Sequence, residues 1–72
     1  MVNVDKLRGK IVEKRLSVAE LSEKIGIDKA TFYRKLNEKG APFSIREADA
    51  IVRDLSLTQD EAMSIFFGQF VA

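Results

Sequence analysis

LSVAELSEKIGIDKATFYRKLN spans residues 16–37: two short helical patterns separated by Gly26-Ile27-Asp28. Ser17 and Glu20 stand three apart, the spacing at which a hydroxyl caps a helix start and a carboxylate bonds back to the capping amide. Leu16, just before the cap, is placed to staple against Leu21. Gly26 falls where a left-handed residue ends a helix, and Asp28 caps the next one without a Glu partner, with Ile27 and Phe32 at the stapling positions. The spacing predicts helices over Val18–Ile25 and Lys29–Asn37. So short a turn crosses its helices steeply, and Leu21, Ile25, Ile27, Phe32 and Leu36 are the apolar positions that hold them together. That is helix-turn-helix spacing.

The same local grammar extends outward. Upstream, Asn3 caps a helix expected over Val4–Lys14 whose inward stripe is Val4, Leu7 and Ile11. Gly9 lies inside that helix at a cost of about 1 kcal/mol relative to Ala, a cost that close helix packing would explain. Downstream, Ser44 with Glu47 and Thr58 with Glu61 repeat the capping box, preceded by Phe43 and Leu57, which face Ala48 and Ala62 as staples. Helices over Ile45–Leu55 and Gln59–Phe67 follow, and Glu38–Phe43, with Gly40 and Pro42, is a loop. No run alternates with hairpin punctuation. The expectation is an all-α fold of five helices, residues 1–72 forming a single helix-turn-helix domain.

Composition narrows the function. With 46% hydrophobic and 32% charged residues, the chain is too apolar for disorder. It has neither Cys nor His, which excludes disulfide frameworks, the usual zinc sites and His-based nucleophilic catalysis. No nucleophile–base pair, metal set or phosphate-cradling glycine loop is present, so neither an enzyme nor a bound cofactor is expected. No apolar run approaches the ~20 residues of a membrane span, and the expected setting is cytoplasmic. The formal net charge is only +1, but it is unevenly distributed. Residues 1–39 hold ten Lys and Arg against six acids, whereas residues 40–72 hold two against five, which concentrates positive potential on one part of the fold.

Ser22, Gly26 and Phe32 occupy the small, turn-glycine and apolar positions of the Cro/CI-type (XRE-like) repressor family, which this chain resembles over nearly its whole length. The string from Gly26 to Asn37, the opening Leu7-Arg8-Gly9-Lys10-Ile11 and the close Ile65-Phe66-Phe67 are similar to small phage lysogeny regulators. The resemblance implies a compact five-helix lambda-repressor-like DNA-binding domain that regulates a phage lysis–lysogeny switch in a bacterial host by binding double-stranded operator DNA. The chain departs from the family at Val18, often a phosphate-binding glutamine, and at Lys35, usually apolar, which implies that one apolar packing interaction of the motif is missing or shared with Leu36.

Helix geometry assigns the roles. At about 100° per residue, Phe32 and Leu36 point inward while Ala30, Tyr33, Arg34 and Asn37 face solvent. In a helix-turn-helix the second helix reads base edges with its N-terminal part, so Lys29, Ala30, Tyr33 and Arg34 are the base-contact candidates. Arg34 suits guanine and Ala30 a thymine methyl. Ser17, Thr31, Asn37 and Lys39 are the phosphate candidates. Asp28, Glu20 and Glu23 would oppose DNA, and a low net charge implies modest, salt-sensitive affinity. Help would come from a homodimer or a second protein. Ile65 and Phe66 are expected under the first helix, leaving Phe67, Phe70 and Val71, with Tyr33, as partner-interface candidates unless Gly68 turns the tail back. Length and the missing effector domain also resemble phage modulator-of-repression proteins. The alternative function is therefore an antirepressor that binds a second helix-turn-helix phage repressor.

Overall fold

A computed structural model describes residues 2–38 and 43–68. Its five helices are α1 (Val4–Glu13), α2 (Val18–Ile25), α3 (Lys29–Asn37), α4 (Ile45–Asp54) and α5 (Gln59–Phe66). There is no strand among the described residues. Every helix starts where its cap predicts. Asn3 and Asp28 accept amides of the first turn, and Ser17–Glu20, Ser44–Glu47 and Thr58–Glu61 form complete capping boxes. Helices α1, α4 and α5 end one residue earlier than expected, because Lys14, Leu55 and Phe67 serve as C-caps.

Three of the connections share one construction. Arg15, Gly26 and Ser56 adopt positive φ of 60°, 74° and 51°. The apolar residue that follows each, Leu16, Ile27 or Leu57, donates its amide to Ile11, Ser22 or Val52 at 3.0–3.1 Å, closing the helix behind it. The next residue is already the cap of the helix ahead. Only the middle joint carries glycine. Elsewhere tertiary packing holds an ordinary residue in a conformation that costs it roughly 1–2 kcal/mol.

The core is Leu7, Ile11, Leu21, Phe32, Leu36, Ile51, Leu55, Leu57, Ile65 and Phe66. Phe43, expected as a local staple, reaches further: its ring meets Phe32 and Phe66 edge-on, with centroids 5.8 and 6.3 Å away. Gly9 corrects an expectation. It is exposed, and a Cβ there would meet nothing within 4 Å, so close packing does not explain it.

Helix α2 packs on α3 and α4, and α1 on α5. Ile65 and Phe66 are buried, as expected of residues packed beneath α1. The Asn3 amide donates to the Ile65 carbonyl at 2.7 Å, Lys6 bonds Ser64, and Lys10 pairs with Glu61 and Glu13. The Lys10 ammonium and the Thr58 amide hold the Glu61 carboxyl down at about 2, and Glu61 with Glu13 raises Lys10 above its ordinary value. Among the described residues, no helix is long and apolar enough to cross a membrane.

Candidate nucleic-acid interface

The orientation of α3 follows from its two buried side chains. Phe32 is fully buried and Leu36 nearly so, whereas Lys29, Ala30, Tyr33, Arg34 and Asn37 are exposed. Ala30, Tyr33 and Asn37 recur at three- and four-residue steps and form one stripe, with Arg34 beside it. The four base-contact candidates therefore share the open side of the helix. Thr31 is half-buried at its edge, and its amide bonds Asp28 at 3.2 Å.

Arg34 has only an exposed partner on this surface. Its guanidinium lies 3.7 Å from Glu38, with both side chains more than half exposed. Such a pair contributes at most about 1 kcal/mol, so it holds Arg34 only weakly. Lys35 behaves differently. Its ammonium is 2.6 Å from Glu47 and 5.6 Å from the Phe43 ring centre, and its side chain is only 15% exposed. Where an apolar side chain would pack, this chain has a polar clamp between α3 and the first turn of α4. Burial pushes the Glu47 carboxyl up, but Lys35 and Ser44 together bring it below its ordinary value. Lys35 is thereby committed to structure, and the open side of α3 keeps Lys29 and Arg34.

The phosphate candidates separate in the same way. Ser17 accepts the Glu20 amide at 3.0 Å and donates its own amide to the Glu20 carboxylate at 3.0 Å. These bonds hold the Glu20 carboxyl below its ordinary value, keeping a negative charge at the start of α2. Asn37, at the far end of α3, accepts a 2.8 Å bond from Arg8 of α1, 29 residues away. Nothing in the sequence pattern signals that bond, because it depends on α1 crossing the end of α3. Lys39, Phe70 and Val71 lie outside the described residues. Of the partner-interface candidates inside them, Tyr33 is 38% and Phe67 48% exposed.

No curated protein and no solved structure matches the chain. A family model does: the Cro/C1-type HTH DNA-binding domain matches residues 6–66, from α1 to the end of α5. The match takes in the buried pair Phe32 and Leu36, the turn at Gly26 and the outward stripe of α3, and by it the chain belongs to the Cro/C1-type helix-turn-helix DNA-binding family, whose ligand is double-stranded DNA.

Proposed function

We propose that this protein is a transcriptional regulator of a phage lysis–lysogeny switch, acting in the bacterial cytoplasm by laying α3 in the major groove of operator DNA. The observation that carries the reading is the division of α3 itself: Phe32 and Leu36 are locked into the core while Ala30, Tyr33 and Arg34 stand outward along its N-terminal two-thirds. Arg34 reads guanine through paired donors, Ala30 touches a thymine methyl, and Lys29 and Tyr33 contact flanking base edges. Ser17, Thr31, Asn37 and Lys39 contact phosphates. The phage assignment draws on the likeness of the Gly26–Asn37 string to small lysogeny regulators. A homodimer would supply the second half-site contact that a lone domain of this size lacks.

A second reading, an antirepressor that docks on another helix-turn-helix repressor, is favoured by one observation. Tyr33 on α3, Met63 on α5 and Phe67 at its C-cap are large apolar side chains left 38–48% exposed. Fluorescence anisotropy with duplexes selected from a random library separates the two. Sequence-preferring binding by the lone protein, weakened by Arg34→Ala, supports direct readout. Absence of any sequence preference at low salt, with capture of a co-expressed phage repressor, supports the second reading.

A further inference from the structure

The cations on the front half of the chain are unequally employed. Lys10 is answered by Glu61 and Glu13, Lys35 by Glu47, and Arg34 by Glu38. To a distant anion the Lys35 and Arg34 pairs are neutral, and Lys10 with its two glutamates is net negative. Among the described residues, two cations are held by uncharged groups: Lys6 by Ser64 on α5, and Arg8 by Asn37 on α3. Of these two, Arg8 is the one fixed beside α3.

Its position has three physical consequences. Asn37 shares the outward stripe with Ala30 and Tyr33, so the Arg8 guanidinium borders the same surface at its C-terminal end. That end of a helix carries the partial negative charge of its unpaired carbonyls, which repels phosphate unless a cation is set against it. Finally, the bond occupies one of five guanidinium donors and the amide oxygen of Asn37, leaving the other Arg8 donors and the Asn37 amino group for an acceptor. The opposite flank is built the other way, since Glu20 already fills the Ser17 amide with a carboxylate.

We propose that the principal phosphate anchor of this domain is the Arg8–Asn37 pair, contributed from α1 outside the helix-turn-helix, with Asn37 as the positioning residue that holds the guanidinium against the end of α3. The proposal rests on the DNA-binding reading above. The anchor fixes the domain on the duplex backbone and carries no sequence information.

The test titrates the protein with a mixed-sequence duplex of about 20 base pairs over a series of salt concentrations. A single phosphate contact contributes about 0.9 to the slope of log K against log[salt]. Arg8→Ala should therefore lower the slope magnitude by about one and weaken binding to every sequence alike. Arg8→Lys should restore the slope. Asn37→Asp should keep the guanidinium in place but cancel its charge, reproducing the Arg8→Ala slope with the helical circular dichroism signal retained. If Arg8→Ala itself fails to fold, Asn37→Asp and Arg8→Lys carry the comparison. Wild-type binding with a slope unchanged in Arg8→Ala or, if that variant does not fold, in Asn37→Asp overturns the anchor and leaves the DNA reading standing. Absence of wild-type binding to any duplex at low salt overturns both.

Discussion

The motif side of the molecule, α2 with α3 and α4, and the side where α1 meets α5 are closed by different chemistry. On the first, Leu21, Phe32 and Ile51 are fully buried, and the single polar clamp, Lys35 to Glu47, is itself largely covered. On the second, Leu7 and Ile65 are equally buried, but the rim is polar: the Asn3 amide on Ile65, Lys6 on Ser64 and Lys10 on Glu61. The reading helix is thus oriented by apolar packing, which salt and pH barely touch, while α5 is docked with the help of charge. A DNA-binding surface must keep its shape in the ionic atmosphere of a polyanion, and the first kind of closure provides that.

The contrast is open to attack at several strengths. Phe32→Ala should cost about 3–5 kcal/mol in urea unfolding. A loss well under that would mean that α3 is held by something other than its buried ring. Arg34→Ala should leave the unfolding midpoint unchanged and remove about 1–3 kcal/mol of discrimination at one base pair, measured with selected duplexes. A midpoint that falls would tie this exposed side chain to the scaffold. Gly26→Ala should destabilise by about 1–2 kcal/mol through strain at positive φ, since the space around it is empty. Gly9→Ala, on the α1 side, should do the reverse and stabilise by about 1 kcal/mol, with thermal melting as the readout.

The smallest effect concerns the charged rim. Because the folded-state Glu61 carboxyl is lowered to about 2, its contribution to stability is fully present above its ordinary value of 4.5 and is lost as pH falls through about 2. Glu61→Gln should lower the melting temperature slightly at neutral pH and flatten the acid limb between pH 4.5 and 2. An acid limb identical to wild type would show that Lys10 and Glu61 do not cooperate in the folded state.

Much of this architecture was legible in advance because it is written locally. Ser17, Ser44 and Thr58 each find their glutamate three residues on, so the helix starts need no tertiary information. The inward turn of Phe32 and Leu36 follows from their four-residue spacing alone. What escaped depends on how helices cross. Lys35 reads as a defect in the motif until Glu47 is brought to it from α4, and Arg8 reads as an ordinary surface charge until α1 is laid against Asn37. Gly9 misled for the opposite reason, since a glycine suggests proximity whether or not a neighbour is there. The left-handed residues at Arg15 and Ser56 carry no compositional mark, because packing imposes a conformation that their own chemistry resists.

Those left-handed residues belong to a feature with its own consequence. Each joint, Lys14-Arg15-Leu16-Ser17, Gly26-Ile27-Asp28 and Leu55-Ser56-Leu57-Thr58, is made only of the residues that cap one helix and begin the next. Such a hinge has no slack. One inserted residue would unfasten the helix on either side and rotate the following one out of phase by about 100°. Length changes in this protein should therefore be tolerated least at the places that look, from a distance, like ordinary loops.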